Sequence, residues 1–339
     1  MEGKGTRHRS ALNVRAMQLD GPGAPLRMVE RLPPVAGPGQ LQLTVEACGV
    51  CRTDLHIVDG ELNQGKYPLV LGHEVVARIS ALGAGVSGFA VGDRVGVPWL
   101  ARTCGACAFC VAGRENLCTQ AEFTGYTRDG GYAEVMVAQA AYCLPLPEGS
   151  AAALAPLLCA GLIGYRALTL AGPAQRLGFY GFGAAAHLLL QVAAQQGQRI
   201  FAFTRPGDSA AQILARKLGA EWAGGSDEPS PCPLQAALLF APVGALVPRA
   251  LADVELGGVV VCAGIHMSDI PSFPYRLLWG ERQVRSVANL TRQDGADFFA
   301  RIRGLDVQAV VQTRPLTEAP DALNALRAGA VTGAVVLVP

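Results

Sequence analysis

Between Met17 and about Leu146 the chain is a series of short apolar runs cut by Gly, Pro and Asp, among them LQLTVEACGV, EVVARISALG and DRVGVPWL. Each run carries partial period-two alternation, as strands with one buried face do, and the residues between them favour turns. The pattern predicts a largely antiparallel β domain with irregular loops. After Pro147 the period changes. Helical stretches such as AAAHLLLQVAAQQG now alternate with the compact apolar runs LGFYG, RIFAFT, AALLFA, GGVVVCAG and VRSVAN. That alternation predicts βαβ units on a parallel sheet. From about Leu290 the character is mixed again, and the chain closes on one more strand, GAVVLVP.

Composition narrows the class. With 339 residues there is room for two domains, and 50% hydrophobic against 16% charged residues excludes disorder except at the ends. A formal net charge of +1 gives no electrostatic footprint for nucleic acid or an anionic membrane. The longest apolar stretch, Ala151 to Tyr165, is broken by Pro156 and stops at Arg166, too short to span a bilayer. The opening MEGKGTRHRS is basic, with no apolar segment behind it, and reads as part of a flexible tail over residues 1–16 rather than a secretory signal. A cytoplasmic protein is expected. Ten cysteines in such a chain point to metal ligands rather than disulfides.

In LGFYGFGAAAHLLLQ, Gly181-x-Gly183-x-x-Ala186 follows an apolar strand and opens a helix. The first Gly permits a tight turn, the second lets backbone approach a pyrophosphate, and the small third residue allows helix–strand packing. The N–H groups of Ala184, Ala185 and Ala186 then begin a helix whose positive end suits phosphate. The strand–turn–helix context makes this a dinucleotide site rather than an ordinary βα turn. At the end of the next strand, where an acid would grip a ribose 2′-hydroxyl, stand Thr204 and Arg205. A missing carboxylate removes repulsion against a 2′-phosphate and an Arg can bind one, so NADP is favoured over NAD. Arg292 is counted with these as a further cofactor contact.

The sharpest local signal is Cys104-x2-Cys107-x2-Cys110-x7-Cys118. Four thiolates can wrap one tetrahedral zinc and leave no open position, which makes the site structural. A ferredoxin-type cluster would want its fourth Cys three residues on, followed by Pro; the gap here is seven residues and Thr119 follows. A second set is dispersed: Cys51 in CGVCRTDLH, His73 with Glu74 in LGHE, and Cys159 in PLLCAG. One His and two Cys with an open fourth position is what a catalytic zinc requires. Spacing alone does not single these residues out, and Cys48, Cys143, Cys232 and Cys262 fit equally well as small buried hydrophobes.

Together the stretches CGVCRTDLHIVDG, YPLVLGHEVVARI, VGDRVGV, CGACAFCVAGRENLC, GYTRDGGYAEV and PLLCAGLIGYRAL resemble the zinc-containing medium-chain alcohol dehydrogenase family, from about Met17 to the C-terminus. The resemblance implies a GroES-like antiparallel β catalytic domain over 17–150 and 291–339, with an inserted Rossmann domain of doubly wound parallel sheet over 151–290. It implies two zinc ions per chain, the catalytic one on Cys51, His73 and Cys159 with Glu74 beside it. Thr53 would bond the substrate oxygen, His56 would pass its proton toward solvent, and Asp54 would orient His73. The implied partners are a small alcohol or aldehyde, primary or secondary, and further copies of the chain in a homodimer or homotetramer. Ala77 and Ile163 depart from the family pattern at a usual Gly and a common Thr. Two rival readings stand beside this one: a zinc-free quinone or enone reductase on the same fold, and a non-catalytic NADP-binding protein.

Overall fold

The computed structural model describes residues 13–339 apart from 63, 265, 266 and 332. In chain order the first part comprises β1 (Val14–Leu19), β2 (Arg27–Arg31), β3 (Gln40–Val50), α1 (Arg52–Val58), β4 (Leu69–Val70), β5 (Val75–Leu82), β6 (Arg94–Val97), β7 (Leu100–Arg102), α2 (Ala108–Val111), β8 (Glu122–Phe123), β9 (Val135–Gln139) and β10 (Leu144–Pro145). β1 begins at Val14 and pairs with β2 and β4, so the tail expected to run through residue 16 is shorter than that; residues 1–12 lie outside the described residues. β3 shows how sequence becomes sheet: Leu41, Leu43 and Val45 point into the core while Gln42 and Thr44 alternate outward. It sits centrally, antiparallel to β5, with β9 also on it and β6 and β10 beyond β5.

The second part begins with α3 (Ala151–Leu154) and α4 (Ala160–Ala171), then runs through β11 (Arg176–Tyr180), α5 (Ala184–Gln195), β12 (Arg199–Thr204), α6 (Ser209–Lys217), β13 (Trp222–Gly225), β14 (Leu234–Leu239), α7 (Leu246–Asp253), β15 (Val254–Cys262) and β16 (Gln283–Ser286). These strands form one parallel sheet in the order β13–β12–β11–β14–β15–β16. Most are continuous apolar runs because helices cover both faces. β13, the run WAGG, carries no such signal. Its glycines make room for neighbouring side chains: a Cβ on Gly224 would lie 2.3 Å from the Trp222 side chain, and one on Gly225 2.3 Å from Asp227 Oδ1.

The chain finishes with α8 (Arg292–Arg301), β17 (Val311–Pro315), α9 (Ala319–Arg327) and β18 (Ala334–Val338). β18 adds antiparallel to β3 and carries β17 in parallel, so the C-terminus completes the first sheet. Among the described residues no single helix is long and apolar enough to cross a membrane. The bent pair Ala151–Leu158 and Ala160–Ala171 instead packs Leu154, Leu157, Leu158 and Leu162 into a core with Phe298 and Val336.

The return from the Rossmann sheet to β17 is tied to α5 by side-chain amides. Gln191 Nε2 donates to the Gln308 carbonyl at 3.0 Å, and the Gln308 N–H donates back to Gln191 Oε1 at 2.9 Å. One turn on, Gln195 repeats this with the Asp306 backbone at 2.9 and 3.2 Å. Two glutamines on one helix face thus serve as a substitute strand for the linker. Gln191→Leu removes two of these bonds, and a loss of about 1–2 kcal/mol in urea unfolding is expected at about 1 kcal/mol net per bond. Gln195→Leu, at the exposed end, should cost less.

Candidate active site and metal centres

β3 and β5 are antiparallel neighbours with Cys48 opposite Val75, so the end of one strand lies beside the start of the other. Cys51, just past β3, and His73 and Glu74, just before β5, are therefore forced together. Cys159 joins them from the N-cap of α4. One donor atom from each of these four residues lies within 4.8 Å of the others. Cys51 Sγ and Cys159 Sγ are 3.8 Å apart, and neither is in a disulfide. A tetrahedral site with metal–sulfur bonds of about 2.3 Å places its sulfurs about 3.8 Å apart, so the pair already has the spacing of two ligands.

His73 supplies the clearest sign of what the cluster is for. Its ring is 1% exposed, and neither Nδ1 nor Nε2 has a hydrogen-bond partner. Asp54 Oδ1 stands 3.4 Å from Nδ1, near enough for attraction but without hydrogen-bond alignment. The other carboxylate oxygen of Asp54 is occupied, accepting from the Cys51 N–H at 2.8 Å and the Tyr132 hydroxyl at 3.1 Å. Burial opposes charge on His73, but Asp54 and Cys51 prevail and hold the imidazole well above its usual range. The Cys159 thiol, hydrogen-bonded to Cys51, draws Cys51 well below the usual thiol range and is itself pushed well above it. Burial, with Cys51 close by, raises the Glu74 carboxyl well above normal. Such a concentration of buried donors is costly unless a cation takes up their lone pairs.

Two residues that the sequence did not flag make room for this. A Cβ at position 49 would fall 1.8 Å from Glu74 Oε2, so only glycine admits the carboxylate. Tyr132 fixes Asp54. Around the cluster, Thr53 Oγ1 lies 3.7 Å from Cys51 Sγ, and Trp99 meets the His73 ring edge-on at 4.9 Å. Trp99 stacks in turn on Phe123 and Tyr126, giving the site an aromatic wall. His56 sits one turn along α1 from Thr53, its Nδ1 against Glu61 Oε2.

The second cysteine set closes on itself. Cys104, Cys107, Cys110 and Cys118 bring their sulfurs within 4.8 Å of one another, with separations of 3.5 Å for Cys107–Cys110 and Cys118–Cys104 and 3.8 Å for Cys104–Cys110. Backbone N–H groups of Ala106 and Cys107 pull the Cys104 thiol down to about 6, readying a thiolate at neutral pH. Four sulfurs in this arrangement fit a tetrahedral ion with no place left for substrate.

At the glycine-rich turn each small residue has a visible reason. Gly181 has φ +91°, and a Cβ there would lie 2.6 Å from the Ala241 nitrogen. Gly183, the N-cap of α5, has nothing within 4 Å of its Cβ position, which leaves space for a ligand at the helix N-terminus. Ala186 is fully buried against the sheet. Thr204 and Arg205 face opposite ways. The Thr204 hydroxyl is buried and donates to the Gly224 carbonyl at 3.2 Å, while Arg205 is exposed at the carboxyl end of β12. Arg292 lies against the cysteine lobe: its backbone N–H and Nε both reach Glu115 Oε1, and its guanidinium covers the Tyr142 ring. No described contact joins it to the Gly181 turn.

Residues 37–148 match the family model of the alcohol dehydrogenase GroES-like domain. The chain is 46% identical over 338 residues to a probable alcohol dehydrogenase, AdhA, of Mycobacterium tuberculosis, covering 96% of this chain and 97% of that one. It is 33% identical to an alcohol dehydrogenase of Geobacillus stearothermophilus, with 92% and 94% covered. The crystal structure of AibC superposes with a TM-score of 0.88 at 26% identity, over 98% of this chain and 99% of that one.

The Gly181 geometry yields a direct test. Gly181→Ala forces an L-residue into positive φ against the Ala241 backbone, at an expected cost of about 1–3 kcal/mol in chemical unfolding. Dinucleotide affinity, measured by fluorescence titration, should fall with it. Ala substituted at Gly183 should leave unfolding nearly unchanged and weaken binding alone.

Proposed function

The chain belongs to the medium-chain alcohol dehydrogenase family, and from that premise we propose that it is a zinc-dependent member using two zinc ions and preferring NADP(H). The reaction is reversible hydride transfer between a primary or secondary alcohol and the nicotinamide. The observation that carries the zinc reading is the buried His73 ring, without a hydrogen-bond partner, within 4.8 Å of two thiols that are 3.8 Å apart. A zinc-free reductase has no use for that arrangement.

Cys51, His73 and Cys159 would hold the catalytic ion, with Glu74 near enough to approach it. Bound there, zinc supplies Lewis-acid polarisation of the substrate oxygen, and the nicotinamide supplies the hydride acceptor or donor. The rest falls to the protein. Asp54, pinned by Tyr132 and the Cys51 N–H, sets the position of His73. Thr53 offers a hydroxyl beside Cys51 to receive the substrate's proton in oxidation and to return one in reduction, and His56 carries the proton outward. Trp99, Phe123 and Tyr126 give the substrate an apolar wall and exclude water. The free N–H groups of Ala184, Ala185 and Ala186 face a pyrophosphate at Gly183. Cys104, Cys107, Cys110 and Cys118 would hold the structural ion.

The free state of all ten cysteines supports a reducing compartment such as the cytoplasm. A homodimer or homotetramer is supported by the edge strand β16, exposed along its length, with Trp279, Tyr275 and Leu256 exposed in the segments around it.

Metal analysis of the purified protein should find two zinc ions per chain. Cys107→Ser should lose one and much of the folding stability, because structural zinc binding contributes directly to folding. His73→Ala should lose the other, abolish turnover and leave the fold intact. A single ion in the unmodified protein removes one of the two sites.

Cofactor preference rests on Arg205. A guanidinium paired with a 2′-phosphate is worth roughly 1.5–3 kcal/mol, on the order of ten- to a hundredfold in preference. Lower Michaelis constants are expected for NADP(H) than for NAD(H), with the gap eroded in Arg205→Ala. Equal use of both by the unmodified enzyme overturns the preference.

A further inference from the structure

α1 ends in a feature with more to it than a stop signal. The Glu61 N–H donates to the His56 carbonyl at 2.9 Å, and the Gly60 N–H to the Ile57 carbonyl at 3.2 Å. Gly60 itself has φ +75°. This is the Schellman C-cap, in which the residue after the left-handed glycine is folded back over the one five positions earlier, usually for an apolar contact. Here those two residues are Glu61 and His56, and the contact is a carboxylate on an imidazole: Glu61 Oε2 meets His56 Nδ1. Gly60 cannot be replaced freely, since a Cβ would also lie 2.9 Å from Pro22 Cβ. Of the charged groups nearby, Asp59 is taken by Arg327 of α9 and Lys66 by Asp129, while Arg52 stands exposed at the start of the helix.

We propose that Glu61 is the positioning residue of the proton path, holding His56 in the Nδ1–H tautomer so that Nε2 carries the lone pair that accepts the proton. The inference rests on the reading of His56 as the relay. A carboxylate accepts hydrogen bonds but has no proton to give, so contact at Nδ1 requires the proton there and makes Nε2 the basic nitrogen. In alcohol oxidation one proton reaches Nε2, forming an imidazolium that faces the Glu61 carboxylate, and then leaves from Nε2 to water. Reduction runs the same transfer backward. Glu61 keeps its charge throughout, and the backbone cap keeps it in place without a contribution from the substrate.

The test compares Glu61→Gln, Glu61→Asp and His56→Asn in the zinc- and cofactor-loaded enzyme. Nitrogen-15 spectra of the histidine rings, recorded without turnover, should show His56 as the Nδ1–H tautomer in the parent. The ring should be a mixture of tautomers in Glu61→Gln, whose amide can bond either form. The kcat for alcohol oxidation should drop about tenfold in Glu61→Gln with the cofactor KM unchanged, less than the roughly hundredfold of a group that transfers the proton itself. Imidazole in the buffer should restore it, and Glu61→Asp should keep most of it. The double variant should be no slower than His56→Asn. Parent tautomer and parent kcat in Glu61→Gln, beside an impaired His56→Asn, overturn the role of Glu61 alone. A His56→Asn enzyme as fast as the parent overturns the relay reading beneath it.

Discussion

Burying an imidazole and two carboxylates beside two half-buried thiols is the constraint around which this molecule is arranged. Polar groups withdrawn from water cost several kcal/mol apiece unless something answers them, and His73 has no hydrogen-bond partner for either nitrogen. The backbone concentrates the donors before any ion arrives. Pairing of β3 with β5 fixes Cys51 beside His73, and the cap of α4 brings Cys159 across from the other domain's first helices. Gly49 and Tyr132 are required because Glu74 and Asp54 must be held at full burial. Four ligating side chains held this close, with both His73 nitrogens unpaired, suit a cation.

The seven residues of α1 tie local structure to chemistry at both ends. At its N-terminus Asp54 reaches back to the Cys51 N–H, so one carboxylate caps the helix and faces His73. At its C-terminus the glycine cap returns Glu61 to His56. Thr53 and His56 lie between, one turn apart. A helix too short to be stable by propensity is thereby defined by its two ends, each of which presents a charged group to an imidazole. The residues that cap the helix, Asp54 and Glu61, are the ones whose carboxylates face the two histidines.

Much of this was legible in the sequence, for reasons that differ by element. The Cys104–Cys118 set could be read because all four ligands are local, and the Gly181 turn because strand, glycines and helix are contiguous. β3, β12 and β15 declared themselves by alternation or by continuous apolar runs. The Cys51, His73 and Cys159 cluster could not be read from spacing, since sheet pairing brings Cys51 to His73 and the cap of α4 brings Cys159; family resemblance supplied them. β13 was invisible because its glycines make room for side chains, Gly224 for the Trp222 ring and Gly225 for Asp227. Glu61 was missed although Asp59-Gly60-Glu61 after an apolar helix is a C-cap signal, because the step from cap to side-chain contact requires knowing which residue lies five positions back. Thr204 was placed at the right strand end, but its inward turn, set by the Gly224 carbonyl, belongs to tertiary structure.

α5 joins the two parts of the molecule alongside α3 and α4. Its first turn presents free N–H groups at Gly183, and its second half is hydrogen-bonded through Gln191 and Gln195 to the linker that leads into β17. β17 pairs with β18, and β18 with β3, whose end supplies Cys51. Hydrogen bonds and short stretches of backbone therefore connect the Gly181 turn, through the linker and across the sheet, to Cys51. Because α5 is one unbroken helix of 12 residues, the amide clasp near one end ties the Gly183 turn at the other to the first sheet. Hydride transfer needs the reacting carbons in near-attack geometry, and a misplacement of about 1 Å can cost on the order of a hundredfold in rate. The clasp supplies that positioning at one end of α5, and the core in which Leu188 and Val192 pack with Ala47, Val76 and Val336 supplies it along the helix.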